Sequence, residues 1–494
     1  MNQDRESIDR YHEERDQKIN SCTSLPPEEK VRVPSIWVFE AYTPSLIGNL
    51  QAGVDRLGWD DSEALLNPDF PDAISDMRST RWAGGWLNLG YIVPIDDRQY
   101  RGRLRHAPLP PGIRAIQASV WQPFPSTTLL CCQFMLDDSL ANSLEQPLAE
   151  SFETYKEPIG KNTIRFVGVE HQKQNAVDVM REYLYSLCSD WVTEYFPGYF
   201  SSEMGGHALP ACELLFFSKQ VDFTDSALDG LEPSFLQMLN LHAARDTWAS
   251  KELANLYLQL AERRSHTPGR AILFGNVDQV LNDQSLDMYG NDTREQKVVH
   301  RLHDLDRTLS TWVLSLIAQD FVAEMWKTRD AYGSLNISTN SFNTEKLREL
   351  DRRLLEFQKN AIPFAHDITD YCERTGWFMH NVSEFEPTRK WGDYEPKLFG
   401  DMRQGLTSSA THIKAAEKQI RAIALQTGNI ISTITNEKLA STNLRLQNSM
   451  GCMTVVMLFL TAIMALPFLK DIGNWLSRVL FWAVGIADKI NHTI

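Results

Sequence analysis

The sequence lacks the usual signatures of a catalytic protein. Its seven cysteines are scattered through 494 residues without a CxxC pair. The adjacent Cys131 and Cys132 are too close for ordinary metal-ligand geometry, so all seven read as reduced thiols of a cytosolic body. There is no GxSxG, HExxH, GxxxxGKS or GxGxxG arrangement, and Gly84-Gly85 and Gly205-Gly206-His207 read as turns. Basic excess is missing too: the net charge of −15 excludes nucleic acid as the main partner, because a phosphate backbone needs a cationic face. The first ten residues are charged and contain no apolar run, so no secretory signal is expected.

What the chain does have is one long uncharged run. Residues 452–469, Cys-Met-Thr-Val-Val-Met-Leu-Phe-Leu-Thr-Ala-Ile-Met-Ala-Leu-Pro-Phe-Leu, carry no charged side chain and only two threonines as strongly polar groups. As a helix this run reaches about 27 Å, close to the hydrocarbon thickness of a bilayer. It predicts an integral membrane protein with the bulk of the chain on the cytoplasmic side.

The remainder divides by pattern. Residues 1–30 are charged and close on Thr-Ser-Leu-Pro-Pro-Glu-Glu-Lys over 23–30, which predicts a flexible leader. Over 31–292, apolar runs of strand length (35–42, 86–93, 113–121, 128–135, 164–169, 212–217 and 271–274) alternate with helical stretches such as 171–195. This predicts an α+β or α/β domain. Strand signals stop after Asp292, and 293–400 read as a helical region. Residues 401–450 contain no proline and place Ile413, Ala416, Ile420, Ile423, Ile430, Ile434 and Leu444 on a 3–4 spacing, a coiled-coil-like stalk expected to self-associate. It leads directly into the first transmembrane helix, 451–469. A short loop, 470–474, then precedes an apolar stretch at 475–490 that contains Arg478. That last stretch reads either as a second span, with Arg478 snorkelling, or as an interfacial helix anchored by Trp475 and Trp482.

This layout resembles the CorA-type divalent-cation channels, in which an acidic cytosolic α/β domain and long helices lead through a stalk into the first span. The Gly-Met-Asn motif of that family is absent, and the corresponding loop reads Leu-Lys-Asp-Ile-Gly-Asn over 469–474. The resemblance implies an ion channel or transporter, or a membrane-permeabilising effector, gated by its cytosolic domain. It further implies a homo-oligomer and a divalent cation such as Mg as ligand or cargo, while the residues themselves assign no cofactor.

If a pore exists, the stalk and first span should line it. Gln447, Thr454 and Thr461 recur at seven-residue spacing and Asn443 lies one turn before Gln447, so all four share a helix face. Rings of such hydroxyl and amide groups could replace part of an ion's hydration shell. Equally, the threonines could bond back to their own backbone carbonyls. Asp471, Gly473 and Asn474 are the corresponding candidates in the outer loop. In the soluble part, His300, His303 and Asp304 have helical metal-ligand spacing, but they flank the apolar face set by Leu302, Leu305 and Leu309. His366, Asp367, Asp370, Glu373 and His380 read as a solvated polar face. No enzyme is expected, and a small ligand or cation on the cytosolic domain is left open. The competing expectation is a membrane-anchored binding or signalling protein with no pore.

Overall fold

The computed structural model describes residues 2–58, 70–79, 85–96, 104–160, 163–202, 209–223, 233–241, 247–251, 253–260, 269–281, 302–335, 344–374, 385–388 and 398–491, with the single positions 228 and 297. The chain forms two compact units, one of residues 1–330 and 349–420, the other of 331–348 and 421–494.

The first unit is built on a mixed sheet. Its strands are β1 (Val31–Arg32), β2 (Ser35–Tyr42), β3 (Gly85–Pro94), β4 (Leu104–Ala107), β5 (Ile113–Phe124), β6 (Thr127–Leu136), β9 (Ala211–Phe217), β10 (Thr247–Ser250), β11 (Leu256–Leu260), β12 (Arg270–Asn276) and β13 (Phe385–Pro387). Between β6 and β9 in the chain, β7 (Tyr155–Gly160) and β8 (Thr163–Val167) pair only with each other. The large sheet has the order β13-β10-β11-β12-β9-β2-β6-β5-β3-β4, with β1 also on β9. β12–β9 and β3–β4 are parallel and every other pair is antiparallel.

Strands β2, β6 and β9 are buried along their whole length, which explains their near-continuous apolar sequences: both faces of the sheet are covered. The principal helices are α1 (Asn2–Thr23), α2 (Ile47–Arg56), α3 (Val169–Tyr195), α4 (Asp306–Gly333), α5 (Thr344–Lys359), α6 (Ala361–Glu373) and α7 (Leu398–Asn491). Ile36 pairs with both Phe134 and Glu213 and so shares their face. On that face Phe134 meets Trp191 of α3 edge-on at 5.9 Å. Phe39, Cys131 and Ser119 lie in register on the opposite face. There Phe39 meets Trp312 of α4 at 6.4 Å and the Ser119 hydroxyl donates to Asp306 at 2.7 Å. Trp121 and Phe124 meet Tyr371 and Phe364 of α6 at 6.3 and 5.7 Å. The unit is a three-layer α/β/α arrangement, so the expected mixed α/β class is what forms.

Four segment expectations change. The leader over 1–30 is helical at Asn2–Thr23 and held down near its end. The Asp16 carboxylate accepts from the Thr154 amide at 2.6 Å and the Thr154 hydroxyl at 2.7 Å, while Asn20 donates to the Phe152 carbonyl and accepts from its amide. The Asp16 charge is met by specific donors instead of solvating a mobile tail. The boundary at 292 is not a domain boundary: α4 and α6 supply one covering layer of the sheet, and β13 supplies its edge. The stalk proposed over 401–450 begins inside the first unit, where Leu406, Ala410, Ile413, Ala416 and Ile420 are buried.

The loop expected at 470–474 is helical, because α7 continues to Asn491. Past Pro467 the chain has no proline to interrupt the ladder. Gly473 is the residue best suited to a tight turn, yet it lacks the positive φ such a turn requires.

Candidate functional site

Helix α7 carries the candidate pore face. Its exposed part is apolar over most of a membrane thickness: Met453, Val455, Val456, Met457, Leu458, Phe459, Leu460, Ile463 and Met464 are between 47% and 72% exposed. This helix is the one described element long and apolar enough to cross a membrane by length and composition.

Asn443, Gln447, Thr454 and Thr461 are all exposed positions of α7, so the structure places them on one continuous helix as their spacing requires. The two threonine hydroxyls donate to carbonyls one turn back, Thr454 to Met450 at 2.8 Å and Thr461 to Met457 at 2.7 Å. Each hydroxyl proton is satisfied inside its own helix while the oxygen keeps acceptor capacity. Of the outer candidates, Gly473 and Asn474 are helical, and the Asn474 carbonyl accepts from the Ser477 hydroxyl at 2.9 Å. The Asp471 side chain lies outside the described residues, as do His300, His380, Gly84, Gly205, Gly206, His207 and the side chains of His303 and Asp304. Among the described residues no three His, Cys, Asp or Glu side chains converge to hold a metal ion.

The sequence reading passed over a second set of polar groups, buried between sheet and α3. Arg181 of α3 and Glu213 of β9 face each other at 2.6 Å, and both are buried. Burial raises the Glu213 carboxyl above its usual range, and the Arg181 charge works against that rise. Next along α3, Tyr185 lies under the Arg270 guanidinium at 4.1 Å, and Arg270 reaches Glu182 at 3.1 Å. One turn back, Asn240 donates to Asp178 at 2.9 Å and accepts from Gln174 at 2.5 Å. At the helix start, Lys173 is buried and its ammonium donates to the Ser24 hydroxyl and the Leu148 carbonyl. The row binds α3 to the sheet and to its neighbours.

Glu40 stands apart from this row. Its side chain is buried on β2 beside the Pro197-Gly198 turn and accepts from the amides of Ala41, Phe200 and Ser201 at 2.9, 2.8 and 3.1 Å. Desolvation dominates these contacts and pushes the carboxyl up to about 7. The signal for Glu40 and Glu213 was visible, since each is the one charged residue in an otherwise apolar strand. Both are enclosed by protein, so the arrangement suits structural and titrating roles better than attack on a substrate. The described residues also line open grooves. One of ≈ 500 Å³ runs along Arg403, Gln404, Thr407, Ser408 and Thr411, and one of ≈ 620 Å³ lies between Pro26–Glu29 and Lys219–Asp222.

With this geometry in view, the chain matches no protein-family model, no curated protein and no solved structure. Its reading therefore rests on its own residues.

Proposed function

We propose that this protein is a membrane-anchored homo-oligomer in which the α7 helices cross the bilayer at 452–469 and associate around a shared axis, with the α/β body on the cytoplasmic side. The observation that carries this reading is the uncharged, exposed apolar surface from Met453 to Met464. Each such side chain left in water forgoes about 1.5–3 kcal/mol, so the segment calls for lipid or other helices around it. Asn443, Gln447, Thr454 and Thr461 then face the axis and form polar rings along a conduction or permeation path controlled by the body. The order of parts is CorA-like, with a helical 470–474 in place of that family's short loop and no Gly-Met-Asn. The acidic chain, with net charge −15, would concentrate cations near its mouth, which makes a cation the preferred cargo.

The threonine contacts favour a second reading. Because Thr454 and Thr461 are satisfied by their own helix, they can also sit in lipid at little cost, and α7 then serves only as an anchor. The mass of the intact protein in lipid nanodiscs separates the two. A discrete assembly of several chains, with flux through liposomes reduced in Thr454→Ala and Thr461→Ala, is the expected result. A monomer that conducts nothing would leave the anchor.

A further inference from the structure

The hairpin of β7 and β8 stands away from the core. Every residue of β7 is exposed, as are the first four of β8. A two-stranded hairpin is marginally stable by itself, and natural ones hide an apolar face. This one does the reverse: Tyr155, Ile159, Ile164 and Phe166 are 49%, 62%, 61% and 52% exposed. Cross-strand pairing of Lys156 with Phe166 and of Pro158 with Ile164 gathers Lys156, Pro158, Ile164 and Phe166 on one face. There the Lys156 ammonium lies 5.5 Å from the centre of the Phe166 ring. Arg165 pairs with Glu157 on the other face.

Charge selects the occupant. Residues 155–167 hold three basic side chains, Lys156, Lys161 and Arg165, against the single acid Glu157, in a chain whose net charge is −15. A second copy of the hairpin would bring like charges together. An anionic lipid surface meets both needs at once, since apolar side chains can enter the headgroup layer while flanking cations pair with phosphates.

We propose that this hairpin docks on anionic lipid through the face that Lys156, Ile164 and Phe166 share, with Ile164 and Phe166 entering the interface and Lys156 engaging lipid phosphates. This contact is separate from the α7 crossing. It gives the body its own hold on the bilayer surface and makes that hold depend on lipid charge and on salt. Lys156 contributes about a fivefold preference for anionic over neutral lipid.

Amide exchange of the intact protein, followed by mass spectrometry with vesicles of phosphatidylcholine alone or with a third of phosphatidylserine, tests it. The expected result is slower exchange over 155–167 with the anionic vesicles only, reversed by high salt. It should be lost in Ile164→Ser/Phe166→Ser and weakened in Lys156→Gln. All three positions are exposed, so the unfolding midpoints of these variants should stay at the parent value. Exchange over 452–469 reads the α7 crossing separately. Protection there in both vesicle types, with none over 155–167, overturns the hairpin proposal and leaves the crossing intact. Hairpin protection that rises with protein concentration and ignores lipid charge overturns it in favour of a second copy, and absence of vesicle binding overturns it outright.

Discussion

The Arg181 guanidinium lies 2.6 Å from a Glu213 carboxylate oxygen, with α3 contributing one partner and the middle of the sheet the other. A buried pair of this kind adds little net stability, yet either member alone is costly. Arg181→Leu should therefore destabilise the body by about 3–5 kcal/mol, while Arg181→Leu/Glu213→Leu should recover most of the loss. Urea unfolding of the two variants checks this. Equal midpoints for the single and double variants would show that the pair is not coupled.

Glu40 sets a pH dependence whose sign follows from its raised carboxyl. Its ordinary value is 4.5 and the folded value is about 7, so between these limits the folded state holds the proton more tightly than the unfolded one. Stability is greatest below about 4.5 as far as this group is concerned, falls as pH rises towards 7, and levels off above. The span corresponds to about 3 kcal/mol. Glu40→Gln keeps one oxygen, enough for the Ala41 and Phe200 amides but not for the Ser201 amide, removes the titrating carboxyl and should flatten that part of the stability-against-pH curve. A curve of unchanged slope would show that Glu40 ionises normally.

Two glycines of α2 should respond in opposite directions. A Cβ on Gly53 would collide with the Tyr195 carbonyl and the Phe196 ring, whereas one on Gly48 meets nothing within 4 Å. Gly53→Ala should cost about 1–3 kcal/mol through overpacking. Gly48→Ala should gain about 0.5–1 kcal/mol by relieving the conformational entropy of glycine in a helix. Thermal unfolding of the two variants side by side decides it.

Docking of α1 is testable at Asp16. Removing the carboxylate abolishes both contacts with Thr154 and leaves the Thr154 amide without its acceptor. Asp16→Ala should cost about 1.5–3 kcal/mol and open the first two dozen residues to limited proteolysis. Cleavage at the parent rate would mean that α1 is held by other contacts.

Association of α7 predicts a cross-link. Cys452 is exposed at the start of the apolar stretch, while Cys131, Cys132, Cys188, Cys212 and Cys372 are buried. Mild oxidation of the protein in membranes should yield a covalent dimer that Cys452→Ser abolishes. Monomers that stay uncrosslinked at every protein density would argue for separate anchors.

Much of the fold was legible because burial on both sides writes itself into composition. The runs read at 35–42, 128–135, 212–217 and 271–274 lie within or on β2, β6, β9 and β12, and 171–195 lies within α3. The less legible parts are those whose state depends on distant partners. β10 and β11 fall in a stretch, 233–264, that reads as helical, because four or five residues carry too few turns of either period to tell helix from strand. β13 is three residues long and exists only through its pairing with β10. In α1 the apolar face is nearly absent; its anchors are Asp16 and Asn20, which sequence alone reads as solvated. That Asn443, Gln447, Thr454 and Thr461 lie on one helix could be read because no proline interrupts 443–461. What the spacing could not show is that both threonine protons are already bound to the helix that carries them.

The edge strand β13 has a consequence for the order in which the protein is made. β10 is synthesised more than a hundred residues before the partner that completes its ladder, and the core also waits for Leu406, Ile413 and Ile420 on α7. The body therefore cannot close until the ribosome has reached the threshold of the apolar segment. On the membrane reading proposed for α7, folding of the sheet and delivery of 452–469 to a bilayer become nearly simultaneous events. A chain released before residue 385 would present an unfinished sheet edge to its neighbours, the kind of surface on which aggregation begins.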